Sequence, residues 1–345
     1  MSRKVKRIFL LYTISVLCTF SAFVLCACAK EGSTDAGVNV DAETKDDTVV
    51  NVDASDEEVL DTTEEIMDVS EYEIVRQEVN YSASGDLFWK QDGVEYGELV
   101  EIEYYSSVTE TMRKANVLLP AGYTEDKQYP VLYLLHGSAG DHNEWKSAEP
   151  VYTIGNAIYS GEASEMIVVM PNVRARADDS ANPLDENSIA HFEVFDNFIN
   201  DLKDCLMPYM EENYSIYTDR DHTAIAGLSL GGRESIYIGR TMYDEFGYIG
   251  SFSPGPGIVE YKMGNLTEDG LFEPEELAFP EGYEPKVLMI TEGDSDSVVG
   301  NVPHIYHQLF EDAGVEHIFY TIKGGHDYTV WKRSLYAFVV EIFGE

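Results

Sequence analysis

The 345-residue sequence predicts an α/β fold in which a mostly parallel central sheet carries helices on both faces. Two apolar runs, Val131-Leu-Tyr-Leu-Leu-His136 and Met166-Ile-Val-Val-Met170, end at Gly137 and Pro171 and are typical of strands buried on both faces. Residues Phe195–Asn213, further along the chain, have apolar side chains at helical spacing. Because strands and helices alternate in this way, we expect parallel strands joined by crossover helices.

The sheet is predicted to begin with antiparallel strands. Leu99–Tyr105 and the stretch around Ala115–Leu119 alternate with a period of two and form an early strand pair. The remaining predicted strands are Thr223–Ala226, Lys286–Ile290 and His317–Ile322, and the remaining helices are Arg233–Thr241, Val302–Ala313 and Thr329–Phe343. No internal repeat is visible, so residues 72–345 are predicted to form one domain.

The N-terminus has the charge pattern of an export signal. Four basic residues within positions 3–7 precede the apolar run Ile8–Leu25. The sequence Leu25-Cys-Ala-Cys28 resembles a bacterial lipobox, which implies that residues 1–27 are removed and that Cys28 carries a lipid anchor. An uncleaved anchor or a plain secretory signal is the alternative. Each alternative places the rest of the chain outside the cytoplasm, at the cell surface or secreted.

Residues 28–71 are predicted to be an acidic, disordered linker, because Glu31–Asp68 contains Lys45 as its only basic residue and too little apolar area to fold. The whole chain has 63 acidic and 23 basic residues, a formal net charge of −40. This balance argues against nucleic acid as a partner, because phosphate binding needs clusters of Lys and Arg. Cys205 is the one cysteine left in the domain, so no internal disulfide is expected.

The main chemical signal is the sequence Gly227-Leu-Ser-Leu-Gly231 between a predicted strand and a predicted helix. In a G-x-S-x-G elbow, the serine lies on a sharp strand-to-helix turn that exposes its hydroxyl, and the flanking glycines avoid collisions with neighbouring backbone. This context predicts Ser229 as the nucleophile of a protein with the α/β-hydrolase fold. A glycine-rich turn that serves packing alone is the alternative.

A serine hydroxyl needs a base, and in this fold the base follows the nucleophile in the chain. His326 lies in Gly324-Gly-His-Asp327, between the last strand and the last helix, where the fold presents its base. His304 and His307 fall within a predicted helix, and His317 opens a strand. We therefore expect His326 to be the base, with a helix-capping surface histidine as the alternative.

The acid is expected in the loop that follows strand Lys286–Ile290. Asp294 and Asp296 both fit by position, and Glu292 fits less well. Carboxylates two residues apart also occur in calcium loops, but the glycine and the final glutamate of such a loop are absent at the required spacing. No metal site is therefore expected.

Acyl transfer also needs hydrogen-bond donors for the oxyanion. The backbone N–H of Leu230, directly after the nucleophile, is the first candidate, and the loop after an earlier strand supplies the second. His136-Gly-Ser-Ala-Gly140 is that loop, with Gly137 allowing the bend and the Ser138 amide facing the site. His136 precedes the serine in the chain, so a structural role is expected for it.

Five segments together resemble the esterase D group, and within it the feruloyl and acetyl-xylan esterases of carbohydrate esterase family 1. The segments are Tyr129–Gly137, Asn143-Glu-Trp145, Ala224–Gly232, Phe246–Ser253 and Gly324–Trp331. The resemblance extends from about residue 97 to residue 343. It departs from the family at Leu230, where Met is common, and in the patternless polar segment 174–191, which borders the substrate cleft in relatives.

The resemblance implies further assignments. Relatives place the acid in a Gly-x-x-Asp turn before a Val-Gly pair, which favours Asp296 of Gly293-Asp-Ser-Asp296 over Asp294. It implies no metal and no other cofactor. Trp145 and Trp331 follow the oxyanion loop and the base closely, so either ring could stack on an aromatic acyl group or a sugar, or could lie in the core.

Three functions are compatible with these residues. The first is an exported serine esterase that removes feruloyl or acetyl groups from plant cell-wall xylan. The second is an enzyme of the same fold that hydrolyses a siderophore ester or another small ester, or that transfers acyl groups. The third is a surface carbohydrate-binding protein on an inactive hydrolase scaffold, which would require a broken set of catalytic residues.

Overall fold

The computed structural model describes residues 85–180, 188–263 and 266–344. The predicted signal peptide, the lipidation site Cys28 and the acidic linker 28–71 lie outside the described residues. Of the helices in the described ranges, none is both long enough and apolar enough to cross a membrane.

One eight-stranded sheet forms the centre of the described domain. Its strands are β1 Glu98–Ser106, β2 Thr111–Leu119, β3 Val131–Leu135, β4 Ile167–Pro171, β5 Thr223–Leu228, β6 Tyr248–Phe252, β9 Val287–Gly293 and β10 Ile318–Ile322; β7 Tyr261–Met263 and β8 Leu266–Glu268 form a separate antiparallel pair. The order across the sheet is β1-β2-β4-β3-β5-β6-β9-β10.

The predicted mixture of strand directions is confirmed. β1 pairs antiparallel with β2, and β2 pairs antiparallel with β4. From β4 to β10 every neighbouring pair is parallel. β3 and β4 are buried along their whole length, which is why their sequences are continuous apolar runs and not alternating ones.

Seven α-helices and a π-helical turn surround the sheet in the described residues. They are α1 Pro150–Tyr159, α2 Ile189–Asp196, α3 Phe198–Asp201, the π turn Leu202–Leu206, α4 Met207–Asn213, α5 Leu230–Thr241, α6 Val302–Asp312 and α7 Tyr328–Glu341. The predicted helix Phe195–Asn213 is therefore interrupted. The break between α2 and α3 is at Asn197, whose side-chain amide donates to the Ala175 carbonyl.

The hydrophobic core has two layers, one on each face of the sheet. Alternate residues of β3 divide between them, with Tyr133 in one cluster and Leu132 and Leu134 in the other. Helices α1 and α7 contribute to the cluster of Leu132, and helices α2 to α6 contribute to the cluster of Tyr133. This arrangement confirms the predicted α/β-hydrolase architecture with helices on both faces.

The topology brings three loops to one edge of the sheet. β5, β9 and β10 are parallel, so the loops that follow them leave from the same edge. Those loops begin at Ser229, after Gly293 and after Ile322. Strand β6, which the sequence indicated only as a motif and not as an element, lies between β5 and β9 and sets their separation.

Candidate active site

Ser229 lies on a strained turn between β5 and α5. Its φ of 54° and ψ of −122° fall in a region that non-glycine residues rarely adopt, so the surrounding structure must hold it there. The Ser229 N–H donates to the Phe252 carbonyl of β6 over 2.8 Å. A Cβ atom on Gly227 would lie 2.4 Å from the Gly231 oxygen, and one on Gly231 would lie 2.4 Å from the His136 oxygen. Both glycines of the motif are therefore required by close backbone approach.

His326 is hydrogen-bonded to Ser229. Its Nε2 lies 2.9 Å from Ser229 Oγ, and its Nδ1 lies 2.7 Å from Asp296 Oδ2. A carboxylate can only accept, so Nδ1 carries the proton and Nε2 accepts from the serine hydroxyl. The structure thus brings together the predicted nucleophile, base and acid in one hydrogen-bonded chain.

Asp296 and Asp294 make different contacts. The second oxygen of Asp296 accepts from the Val298 N–H over 2.9 Å. Burial by itself would raise the pKa of Asp296, but the hydrogen bond and charge of His326, together with backbone amides, hold that pKa below its usual value. Asp294 instead accepts from the Gly324 N–H over 3.0 Å, within the loop that carries the histidine.

The other histidines that the sequence offered lie elsewhere. His304 pairs with Glu292, the third candidate acid, over 3.0 Å, and His307 pairs with His317 over 2.7 Å. His136 is almost fully buried. Its Nδ1 donates to the Gly137 carbonyl, and its Nε2 accepts from the Val173 N–H.

His136 is held in its neutral form. Burial, reinforced by the positive charge of Arg174, lowers the pKa of His136 to about 3. A neutral imidazole can donate at one nitrogen and accept at the other, and His136 uses both nitrogens in this way. His136 therefore joins the loop after β3 to the segment after β4.

Both predicted oxyanion donors lie on segments that adjoin Ser229: Leu230 follows it in the chain, and a Cβ atom on Gly137, next to Ser138, would lie 3.2 Å from Ser229 Cβ. The Leu230 N–H is in the first turn of α5, where helical N–H groups have no partner within the helix. Among the described residues, neither the Leu230 N–H nor the Ser138 N–H has a hydrogen-bond acceptor. Two amides without an acceptor, on segments that adjoin Ser229, are compatible with the predicted oxyanion site.

Glu144, the middle residue of the Asn143-Glu-Trp145 motif, is a functional residue for which the sequence predicted no separate role. Its Oε2 accepts from the Gly137 N–H over 2.7 Å, so it holds the loop after β3 in place. Burial raises the pKa of the Glu144 carboxyl. A cleft of about 320 Å³ lies beside this carboxyl, and its lining residues are Ala139, Gly140, Asp141, Asn143, Glu144 and Tyr328.

The structure does not bring Trp145 into the site. The indole is 1% exposed, donates its N–H to the Leu135 carbonyl over 2.8 Å and packs edge-on against Phe252. Neither face of the ring is open to a substrate, so Trp145 cannot stack on one in this structure, and the core alternative describes it. Trp331 is 6% exposed and packs edge-on against the His326 ring at 5.0 Å, beside the base.

Two further residues were missed within the patternless segment 174–191. Arg174 donates to the Ser138 carbonyl over 3.1 Å, and His191 Nε2 lies 2.8 Å from Ser138 Oγ. Both contacts join positions more than 30 residues apart, so no local pattern indicates them. Across residues 85–180, 188–263 and 266–344, no group of three or more His, Cys, Asp or Glu side chains is arranged to hold a metal ion.

Comparison with known proteins assigns residues 106–342 to a family described as "Putative esterase". Over 265 residues the chain is 27% identical to an endo-1,4-beta-xylanase/feruloyl esterase of Xylanibacter ruminicola, covering 75% of this chain and 33% of that protein. The chain thus spans about a third of that relative's length. Over 145 residues it is 28% identical to the iron(III) salmochelin esterase of Escherichia coli, covering 40% of this chain and 35% of that protein.

A solved structure gives a closer match along its whole length. The carbohydrate esterase family 1 ferulic acid esterase of Anaeromyces mucronatus, in complex with ferulic acid, is 39% identical and superposes with a TM-score of 0.72. The match covers 76% of this chain and 96% of that chain. The family model covers more than half of the sequence, and the chain therefore belongs to the esterase family of α/β-hydrolases and, by its similarity to this structure, to carbohydrate esterase family 1.

Proposed function

We propose that this protein is an exported serine esterase that hydrolyses feruloyl or acetyl esters of plant cell-wall xylan through an acyl-enzyme on Ser229. The observation that carries the proposal is the hydrogen-bonded chain from Asp296 through His326 to Ser229 Oγ. The strained elbow that presents the serine supports the same role, since backbone strain of this kind is typical of functional sites.

The geometry supports the following first half-reaction. Ser229 Oγ attacks the ester carbonyl carbon while its proton passes to His326 Nε2. The charge on the carbonyl oxygen is stabilised by the N–H groups of Leu230 and Ser138. The intermediate then expels the sugar oxygen, which takes the proton from His326 and leaves the acyl group on the serine. Asp296 remains ionised and stabilises the imidazolium.

The second half-reaction releases the acid. Water gives a proton to His326 Nε2 and its oxygen attacks the acyl carbon, with the same two amides binding the oxyanion. The tetrahedral intermediate breaks its bond to Ser229 Oγ, which recovers the proton from His326. Every proton transfer uses the same imidazole nitrogen, which the structure holds 2.9 Å from the serine oxygen.

The substrate class is proposed from the relatives. One relative is named as a xylanase and feruloyl esterase, and another binds ferulic acid in its solved structure. The proposed role of Trp331 is to support the base from one side, since its ring edge packs against His326. Export and anchoring through Cys28 are proposed from the basic N-terminus and the Leu25–Cys28 sequence alone.

A siderophore esterase is the second candidate, because part of the chain matches a salmochelin esterase. The shared chemistry would be the same, and only the ester would differ. A non-catalytic carbohydrate-binding protein is disfavoured, because such a protein has no reason to hold Ser229, His326 and Asp296 in hydrogen-bonding geometry.

A substrate panel tests the proposal. The purified full-length chain is assayed on methyl ferulate, methyl p-coumarate, acetylated xylan and a ferric catecholate ester, with Ser229→Ala as the inactive control. Release of ferulate or acetate that is abolished by the substitution supports the proposal. Turnover of the catecholate ester alone would favour the siderophore candidate. Failure of a fluorophosphonate probe to label Ser229 would remove the serine esterase mechanism altogether.

A further inference from the structure

Ser138 is hydrogen-bonded through its side chain and its carbonyl, while its amide is left free among the described residues. Its hydroxyl lies 2.8 Å from His191 Nε2, and its carbonyl accepts from Arg174 Nη1 over 3.1 Å. The preceding amide, that of Gly137, donates to Glu144. Contacts on three neighbouring groups therefore fix the backbone around Ser138, and the Ser138 N–H, proposed to bind the oxyanion, has no acceptor among the described residues.

His191 holds the Ser138 hydroxyl inside the protein. The imidazole has no exposed surface and packs against the ring of Phe195 at a centroid distance of 5.1 Å. A ring packed in this way has little freedom to move, so it can fix the position of the hydroxyl. The Ser138 side chain is thus held by a ring that belongs to another segment of the chain.

His191 lies in the first turn of α2, and this helix has a defined beginning. The side chain of Ser188 caps it by accepting from the His191 N–H. The backbone of His191 is therefore fixed together with its ring. The fixed backbone is important because the His191 ring can fix Ser138 only if the ring itself does not move.

The other end of α2 contacts the helix that carries the second donor. Asp196, the last residue of α2, forms an ion pair with the buried side chain of Arg233. Arg233 is in α5, three residues after Leu230, and also pairs with the fully buried Glu234. One short helix thus contacts Ser138 at its start and the nucleophile helix at its end.

We propose that α2 positions the two oxyanion donors relative to each other, with His191 as the positioning residue for the Ser138 amide. The inference rests on the proposed function in one respect, namely that Ser138 and Leu230 bind the oxyanion. Donors stabilise a developing charge to the extent that they are already in place, and a displacement of about 1 Å can cost on the order of 100-fold in rate.

The test compares His191→Leu, His191→Gln and Ser138→Ala in the full-length chain, with p-nitrophenyl acetate as substrate. His191→Leu removes the hydrogen bond and is expected to lower kcat about 10- to 100-fold, less than the roughly 100- to 1000-fold for losing a whole donor. KM is expected to change by less than about 2-fold, because the donors act on the transition state. His191→Gln keeps a polar group near the Nε2 position and is expected to restore kcat to within about 5-fold.

Ser138→Ala is the second variant, because removal of one hydroxyl leaves the buried packing of His191 unchanged. It is expected to lower kcat as His191→Leu does, and the double variant is expected to be no slower than either single variant. Inhibition by phenylboronic acid, whose serine adduct is tetrahedral, is expected to weaken in parallel with kcat. Wild-type kcat in Ser138→Ala, or additive losses in the double variant, would overturn the proposal.

The controls separate this proposal from the proposed function. His222→Gln changes a half-buried histidine bound to Asp219, ahead of β5, and is expected to leave kcat within about 2-fold. A wild-type chain that cleaves p-nitrophenyl acetate but not methyl ferulate or acetylated xylan would contradict the substrate proposal and leave the positioning test intact. A chain that cleaves neither ester type would contradict both proposals.

Discussion

The carboxylate of Asp296 accepts a hydrogen bond from His326 Nδ1 over 2.7 Å, on the side of the imidazole opposite Ser229. Asp294, two residues earlier on the same loop, accepts instead from the backbone of Gly324. The two acids therefore act on one loop in different ways. Asp296 orients the imidazole, and Asp294 supports the backbone on which the imidazole is carried.

This difference predicts opposite outcomes for two matched substitutions. Asp296→Asn is expected to lower kcat by about 10³- to 10⁴-fold, because an amide can donate to Nδ1 and so favour the wrong tautomer of His326. Asp294→Asn keeps an oxygen that accepts from the Gly324 N–H and is expected to keep kcat within about 5-fold. Steady-state kinetics on p-nitrophenyl acetate checks both values. A larger loss of kcat in Asp294→Asn than in Asp296→Asn would mean that Asp294, and not Asp296, orients the imidazole.

The sequence predicted the parts of the site that lie on local patterns. The elbow was recognisable because a Cβ atom on Gly227 or Gly231 would lie 2.4 Å from a backbone oxygen. Both positions therefore require glycine, at a fixed spacing from the serine that can be read from the sequence. Spacing alone left Asp294 and Asp296 equivalent, and the family resemblance favoured Asp296. The structure agrees with that preference in geometry, and the role itself remains a prediction.

The sequence could not predict contacts that join distant segments. Trp145 lies ten residues after Leu135, close to the oxyanion loop in the chain, yet its indole bonds back to the strand and faces the core. His191 lies 53 residues from Ser138 and is its hydrogen-bond partner. Nearness in sequence was thus misleading for the first residue, which packs against the sheet, and uninformative for the second, whose contact depends on the packing of α2.

The strain at Ser229 predicts a conflict between stability and activity. Ser229→Ala and Ser229→Gly are both expected to be inactive, since neither has a nucleophile. Alanine keeps a side chain at φ 54°, whereas glycine adopts this conformation without steric cost. We expect Ser229→Gly to be more stable than Ser229→Ala by about 1 kcal/mol, although glycine usually destabilises through unfolded-state entropy. Urea unfolding of the two variants measures the difference, and the reverse order would contradict strain at this position.

Glu144 gives a prediction that depends on pH. Because burial raises its pKa in the folded state, its contribution to stability is fully present below the unfolded pKa and is lost as pH rises through the folded pKa. Glu144→Gln cannot ionise and still accepts from the Gly137 N–H, so we expect it to be at least as stable as the wild type at pH 8. Urea midpoints at pH 5 and pH 8 check this. Lower stability of the Gln variant at pH 8 would contradict it.

Glu144→Ala is the matched variant that removes the acceptor. The Gly137 N–H would then lack its partner, at a cost of about 1–3 kcal/mol. Since Gly137 precedes Ser138, we also expect kcat to fall by about 10-fold or more while Glu144→Gln stays within about 5-fold. Equal activity of the Ala and Gln variants would show that the hydrogen bond to Gly137 does not hold the oxyanion loop.

The buried His136 predicts that the free energy of unfolding decreases at acid pH. Its folded pKa of about 3 lies below the unfolded value of about 6.5, so its contribution is present above pH 6.5 and is lost as pH falls toward 3. Between pH 7 and pH 5 the free energy of unfolding of the wild type should therefore fall by about 2 kcal/mol. The His136→Gln variant should not show this fall, since glutamine cannot take up a proton. At pH 7 the variant should be less stable than the wild type by about 1–2 kcal/mol, because glutamine does not reproduce both the hydrogen bond to the Gly137 carbonyl and the one from the Val173 N–H.

Urea unfolding of the wild type and of His136→Gln across this pH range measures the two stability curves. They should converge as the pH falls, and parallel curves would mean that His136 is not held neutral in the folded protein.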